Sequence, residues 1–97
     1  MTSKQRAYLI SLAMKIKPVV QIGKDGLTPE VTKSAEEALT AHELIKIGIL
    51  NNCESEPKEI APVLAGRTRS EVIQVIGKKI VLYREGKEDK KKIVLPR

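Results

Sequence analysis

The sequence contains no phenylalanine and no tryptophan, and its two aromatic residues are Tyr8 and Tyr83. Domains that read single-stranded nucleic acid by base stacking depend on aromatic side chains as platforms. This chain offers little of that kind. If it binds a nucleic acid, we expect binding through phosphate contacts and helix shape, which depends on salt and is weakly specific for sequence.

Cysteine and histidine are equally scarce, with one of each, Cys53 and His42. A lone cysteine excludes an internal disulfide, and without a C-x-x-C pair or a second histidine there is little basis for a zinc site or a catalytic dyad. The adjacent carboxylates Glu36 and Glu37 are typical of a solvated helix face. We therefore expect no enzyme, and no metal, cofactor or small-molecule substrate.

Long apolar runs are missing as well, because no stretch of roughly 18 apolar residues exists to span a membrane. Residues 1–17 are too polar and too periodic for a secretory signal. With 97 residues, 41% of them hydrophobic, the chain is expected to form one domain over residues 1–97 with a small core. These features predict a soluble cytoplasmic protein.

Charge is unevenly placed along the chain, whose net charge is +6. Residues 1–29 carry five basic and one acidic side chain, residues 30–65 three basic and seven acidic, and residues 66–97 ten basic and four acidic. If the two ends of the chain meet in space, they form one basic face and leave an acidic back. That polarity favours a polyanion as partner, nucleic acid first, although a merely soluble basic protein is the alternative.

Three helices are predicted from hydrophobic spacing and terminal signals. The first covers roughly residues 2–16. The second begins with Thr28 as N-cap and Pro29 in its first turn and reaches about residue 41, and the third follows Ser55 and stops at Gly66. The expected core-facing residues are Leu9, Leu12, Ala13, Ile16, Val31, Ala35, Ala38, Leu39, Ile60, Val63 and Leu64.

Four strands complete the predicted order of helix, strand, helix, strand, helix, strand, strand. Apolar runs at residues 19–22 and 43–50 form two of them, and "EVIQVIGKKIVLYR" forms a hairpin around Gly77-Lys78, where glycine suits a type II′ turn. The order predicts an α/β domain with a four-stranded mixed sheet and three helices. From about residue 85 we expect a charged tail, in which "IVLPR" is either loose or an added edge strand.

The corner "QIGKDGLTPE" holds Gly23 and Gly26 between a strand and a helix start. Three roles compete there: a plain turn, a nucleotide cradle and a clamp for a nucleic-acid backbone. The motifs of a P-loop and of a dinucleotide site are both absent, which disfavours the cradle. Lys24 and the helix N-terminus favour phosphate, whereas Asp25 repels it unless its carboxylate turns away. A G-x-x-G loop in this position is also the clamp that KH modules use.

Several separated blocks of the sequence agree in order with one family: "KQRAYLISLAMKIKPVVQIGKDGLTPEV", "AHELIKI", "VIQVIGKKIVLYR" and a closing "LPR". The chain resembles the YhbY-like proteins, the bacterial stand-alone form of the CRM domain, named for chloroplast RNA splicing and ribosome maturation. The resemblance implies a fold like the C-terminal domain of bacterial translation initiation factor three. It departs from the family at Pro62 and at "AGRTRSE", which puts the length of the third helix in question.

The resemblance also implies a function, because members of the family bind RNA and associate with precursors of the large ribosomal subunit. Structured RNA, above all large-subunit ribosomal RNA in pre-ribosomal particles, is thus the expected partner. The family's G-x-x-G loop corresponds here to Gly23, Lys24, Asp25 and Gly26. Basic side chains implicated near that loop correspond by position to Lys4, Arg6, Lys15 and Lys17.

The hairpin lysines Lys78 and Lys79 are further candidate RNA contacts, with Arg84 and the charged cluster at 87–92 as electrostatic support. The leading hypothesis is therefore an RNA-binding module that aids assembly of the large subunit. The alternative is an adaptor without direct RNA contact, which docks on ribosomal proteins or assembly factors through the second and third helices.

Overall fold

The computed structural model describes residues 1–87, 91 and 93–97, and its elements follow the predicted order. Three helices carry a four-stranded mixed sheet, so the predicted fold class is confirmed. The helices are α1 Ser3–Ala13, α2 Pro29–His42 and α3 Pro57–Thr68. The strands are β1 Val20–Ile22, β2 Leu44–Ile49, β3 Glu71–Ile76 and β4 Lys79–Tyr83.

The strands lie in the order β1-β2-β4-β3, with β1 parallel to β2 and the other two pairs antiparallel. The carboxyl ends of β1 and β2 therefore share one edge with the tip of the β3–β4 hairpin. At that edge the amide of Leu50 donates to the carbonyl of Ile22 (2.8 Å) and the amide of Ile49 donates to that of Lys78 (2.7 Å). We call this the carboxyl edge, and the opposite one, where β2 and β3 begin, the amino edge.

Both faces of the sheet carry helices. Helices α2 and α3 pack on one face over a core that includes Ile22, Leu39 and Leu64, all at most 1% exposed. Helix α1 and the C-terminal residues Ile93 and Leu95 pack on the other. The two ends of the chain thus share one layer, and α2, which carries three glutamates and one lysine, lies with α3 in the opposite one.

Helix α1 begins as predicted and ends early. Thr2 is its N-cap, and Thr2 and Gln5 form a reciprocal capping box, which satisfies two amides of the first turn. The helix ends at Ala13, three residues before the expected Ile16. Beyond it, the amides of Lys15 and Ile16 bond to carbonyls three residues back, so the chain closes in tighter turns before Pro18.

Helix α3 differs from its prediction at both ends. Glu56, not Ser55, is its N-cap and makes no side-chain capping bond; the amide of Glu59 donates to the Glu56 carbonyl instead (2.9 Å). Gly66 does not stop the helix, which continues to Thr68 and ends on Arg69 in the left-handed conformation (φ 56°). Pro62 lies inside the helix, and the expected core residue Val63 is 46% exposed.

Glu43, between α2 and β2, has a buried carboxylate that ties down the C-terminal segment. It is 1% exposed, and its oxygens accept the backbone amides of Gly86 (2.5 Å) and Ile93 (2.9 Å). Its backbone has φ 64° and ψ −45°, a conformation that costs a non-glycine residue about 1–3 kcal/mol. Burial raises the pKa of the neighbouring Tyr83, as do the carboxylates of Glu43 and Glu85, so this hydroxyl stays neutral near pH 7.

The described part of the C-terminal segment lies against the sheet. Ile93 and Leu95 pack beside α1, and Lys4 Nζ donates to the backbone oxygen of Arg97 (3.2 Å). It adds no strand within residues 93–97. Of the charged cluster predicted at 87–92, Glu88, Asp89, Lys90 and Lys92 lie outside the described residues. No helix in the described ranges is long and apolar enough to cross a bilayer.

Candidate nucleic-acid interface

The corner Gly23–Gly26 is a tight turn at the carboxyl edge. The amide of Gly26 donates to the carbonyl of Gly23 (2.9 Å), which closes the turn around Lys24 and Asp25. Both side chains are exposed. Gly26 has φ +67°, a left-handed conformation that glycine adopts without strain. The turn therefore presents a lysine and a carboxylate at its tip.

Gly23 provides close packing against the β2–α3 loop. A Cβ atom at this position would lie 3.3 Å from Leu50 Cδ1 and 3.4 Å from Asn52 Oδ1, tighter than most real contacts of this kind. The two glycines thus have different roles. Gly23 leaves room for the neighbouring loop, and Gly26 adopts the left-handed conformation that the turn requires. Within the described chain, the amides of Lys24 and Asp25 at the tip donate to no protein group.

The start of α2 adjoins the corner and offers fewer amides than a helix start usually does. Pro29 has no amide hydrogen, and the amide of Val31 donates to the Thr28 hydroxyl (3.2 Å). The amide of Thr32 bonds to the carbonyl of Thr28 (3.0 Å). Only Glu30 in this turn keeps an amide for an anion, and its own carboxylate lies nearby. The lysine of the corner is therefore a stronger anion ligand than the helix terminus.

The hairpin lysines reach the same edge of the sheet. Lys78 occupies the two-residue loop after Gly77, whose φ of +56° fits the predicted type II′ turn. Lys79 begins β4 and pairs with Gly48 of β2. Both lysines are exposed, and neither forms an ion pair or a side-chain hydrogen bond with any described residue. The fold thus brings Lys24, Lys78 and Lys79 to one edge.

The cations at the start of α1 lie at the amino edge, beside Glu71 and the C-terminal residues. Strand β2 has six residues, so roughly 20 Å separates this edge from the corner. Arg6 also has partners within the fold: its guanidinium donates to the carbonyls of Val72 and Ile73, both at 2.9 Å, and pairs with Glu71 at 3.1 Å. The structure does not gather Lys4 and Arg6 with the corner.

Arg6 stabilises a β-bulge in β3, the outermost strand of the sheet on the side of β4. Val72 pairs with Leu82, and the next paired residue of β3 is Gln74, so Ile73 is the extra residue. A bulge of this kind re-aims the side chains that follow it. The carbonyls that Arg6 binds belong to this bulge, which gives the arginine a structural role.

Replacing Arg6 with methionine is expected to lower the free energy of unfolding by about 1–2 kcal/mol. The substitution removes hydrogen bonds from a charged donor, and water replaces some of them because the side chain is 41% exposed. Urea denaturation of this variant and of Arg67→Met, an exposed position on α3, provides the comparison. Equal midpoints for the two variants would show that Arg6 has no such structural role.

Lys15 and Lys17 belong to the connection between α1 and β1. They line a mainly apolar groove of about 550 Å³ whose walls include Leu12, Leu44 and His42, towards the amino edge. Both lysines are exposed and form no ion pair with the described residues. They add positive charge to the face of the sheet that carries α1, at the far end of β1 from the corner.

Lys46, a cation in the middle of β2, was not among the predicted site residues. It is half-buried on the α1 face of the sheet, and its ammonium has no partner among the residues that the structure describes. The signal was present in the alternation of "LIKIGI", where the polar Lys46 and the small Gly48 occupy every second position.

Metal binding and thiol or carboxylate chemistry have little support in the described part of the chain. No group of three histidine, cysteine, aspartate or glutamate side chains is placed to hold a metal ion there. Cys53 is buried, with its thiol directed at the carbonyl of Ser55 (3.6 Å). Glu36, predicted on a solvated face, forms an ion pair with Arg84, which also donates to the Thr40 hydroxyl and the Thr68 carbonyl.

Comparison with known proteins places these features in one family. The model of the CRS1 / YhbY (CRM) domain matches residues 1–84. Probable RNA-binding protein YqeI of Bacillus subtilis is 44% identical over 96 residues, which cover 99% of each chain. A protein of Haemophilus influenzae, named RNA-binding protein, is 37% identical and covers 100% of this chain and 96% of its own length.

A solved structure has the same fold. The solution structure of the hypothetical protein SAV1595 from Staphylococcus aureus matches with a TM-score of 0.82 and 48% sequence identity, over 99% of both chains. Residues 85–97 of the sequence lie beyond the family model but within these full-length matches. The likeness therefore extends over the helices, the sheet and the segment that Glu43 holds.

Proposed function

Because the chain belongs to the CRS1 / YhbY (CRM) domain family, we propose that it is an RNA-binding protein whose RNA backbone lies against the carboxyl edge. Two relatives that match almost its full length are named as RNA-binding proteins, which supports this class of partner. The observation that carries the proposal is the meeting of Lys24, Lys78 and Lys79 at one edge, with no carboxylate paired to any of them in the described chain.

The corner holds phosphate by charge and by shape. Lys24 supplies an ammonium group, and the amides of Lys24 and Asp25 are left to donate to an anion. Glu30 places a carboxylate in the first turn of α2, whereas Lys78 and Lys79 place positive charge at the hairpin, so the backbone approaches from the side of the hairpin. Gly26 keeps the turn narrow enough for that approach.

Recognition rests on the shape and charge of folded RNA. The scarcity of aromatic residues removes base stacking as a main source of affinity, since Tyr83 is buried and Tyr8 is 39% exposed on α1. Phosphate contacts position a nucleic acid without reading its sequence. We extend the proposal to precursors of the large ribosomal subunit and a role in their assembly, on the basis of the family resemblance.

Salt dependence tests the proposed mode of binding. If three lysines each neutralise one phosphate, the affinity for a transcript of large-subunit ribosomal RNA should fall roughly 40-fold between 50 and 200 mM salt. Filter binding at several salt concentrations gives the slope directly. A flat dependence would exclude a phosphate-dominated mode and would favour docking through protein contacts.

A further inference from the structure

The α1 face of the sheet is only partly covered. Leu9 and Ala13 of α1 pack with Leu44, Ile73 and Tyr83, which lie towards the amino edge. Next to the carboxyl edge this face meets the last turn of α1 at Ile10 and Ala13, and Gln21, Ile76 and Lys79 are exposed there. Strand alternation and the paired registers place six outward-facing residues there: Gln21, Lys46, Gly48, Gln74, Ile76 and Lys79.

This half of the face is cationic. Lys79 and Gly48 are directly paired, and the next cross-strand position holds Lys46 beside Val81. None of the six side chains is acidic. Lys46 and Lys79 have no ion pair with any residue in the described ranges, so a polyanion meets two uncompensated charges here.

A shallow groove of about 170 Å³ runs between α1 and the β3–β4 hairpin on this surface. Its floor is apolar, formed by residues such as Ile10, Ala13 and Val81, and Lys46 and Lys79 stand at its walls. Gln74 also lines it, half-buried, and its side-chain amide has no hydrogen-bond partner among the described residues. Because of the bulge at Ile73, Gln74 faces this groove and not the opposite core.

We propose that this groove binds one unpaired nucleotide of the RNA, next to the backbone held at the corner. The flat apolar face of a base fits the floor, the Gln74 amide bonds to the polar edge of the base, and Lys46 and Lys79 contact the flanking phosphates. This inference rests on the proposed function, because it needs the RNA to pass over the carboxyl edge.

Lys46→Met tests the phosphate contact and keeps the apolar stem of the side chain. With a large-subunit ribosomal RNA transcript as probe, we expect a three- to tenfold loss of affinity and a salt slope reduced by about one unit. Lys33→Met, at an exposed position on α2, is the matched control and should change neither quantity. An affinity and slope equal to those of the control would overturn the proposed groove.

Crosslinking tests whether the nucleotide is unpaired. A photoreactive benzoylphenylalanine in place of Ile76, which is 59% exposed beside Lys79, should crosslink to the transcript at nucleotides that chemical probing shows to be unpaired. Crosslinks confined to paired regions, or to protein in a pre-ribosomal particle, would refute the assignment of the groove.

The results with these variants distinguish failure of the proposed groove from failure of the proposed RNA-binding function. If Lys24→Glu weakens binding of the transcript and Lys46→Met does not, the groove is wrong and RNA binding at the corner stands. If the wild-type protein does not bind the transcript at all, the proposed function fails and the groove fails with it.

Discussion

Glu43→Ala is expected to lower the free energy of unfolding by about 2–4 kcal/mol, a large effect for a substitution outside the apolar core. Its carboxylate accepts the amides of Gly86 and Ile93, and alanine leaves both donors without that acceptor. A buried donor without a partner costs about 1–3 kcal/mol, and the part-buried amides of Gly86 and Ile93 lie at the lower end of that range. For a domain of this size that is a large part of the total stability.

The backbone at this position does not offset the effect. The φ of 64° is unfavourable for alanine as it is for glutamate, so the substitution loses the hydrogen bonds and relieves no strain. The residues that the carboxylate holds continue to Ile93 and Leu95, which cover α1 and the sheet. Loss of these two hydrogen bonds should therefore also speed hydrogen exchange at the Gly86 and Ile93 amides.

Glu37→Ala is the matched control, because Glu37 is an exposed glutamate of the neighbouring helix α2. It should change stability by no more than about 0.5 kcal/mol. Urea denaturation of both variants measures the difference. If Glu43→Ala lies within 1 kcal/mol of Glu37→Ala, the account of the buried carboxylate is wrong.

Lys24→Glu is expected to weaken RNA binding about tenfold or more at 0.1 M salt, with the fold intact. The substitution removes one attraction and places a second carboxylate beside Asp25 at the tip of the turn. Lys24 is exposed and has no ion-pair or side-chain hydrogen-bond partner in the described chain, so its replacement disturbs no internal contact. The melting temperature should therefore stay near that of the wild type.

Two variants make that result specific to the corner. Lys33→Glu changes the net charge by the same amount on the α2 side and should weaken binding much less. Lys24→Gln should lie between the wild type and Lys24→Glu, because it removes the charge without reversing it. Equal losses for Lys33→Glu and Lys24→Glu would mean that only net charge matters and that the corner has no special role.

Local sequence signals predicted the elements with well-defined starts. Thr28 and Pro29 mark the first turn of α2, and Gly77 marks the hairpin, because capping and positive φ depend on a few adjacent residues. The prediction that α3 ends at Gly66 is wrong, because glycine is tolerated inside a helix at a cost that packing offsets. Local signals of this kind fail where tertiary contacts determine the end of a helix.

Long-range contacts explain what the sequence could not predict. Arg6 is a helix cation like Lys4 in the sequence, and only the bulge of β3, 66 residues away along the chain, gives its guanidinium acceptors. Glu43 resembles any charged residue after a helix, and its burial depends on amides more than 40 residues further on. The separation of the α1 cations from the corner likewise follows from the direction in which the helix crosses the sheet.

Amide chemical shifts during titration with RNA test the central claim most directly. With isotope-labelled protein and a fragment of large-subunit ribosomal RNA, we predict that the amides of residues 23–26 and 77–79 shift together. Those on the outer surfaces of α2 and α3 should stay in place. Shifts confined to α2 and α3, with the corner and the hairpin tip unchanged, would contradict the account.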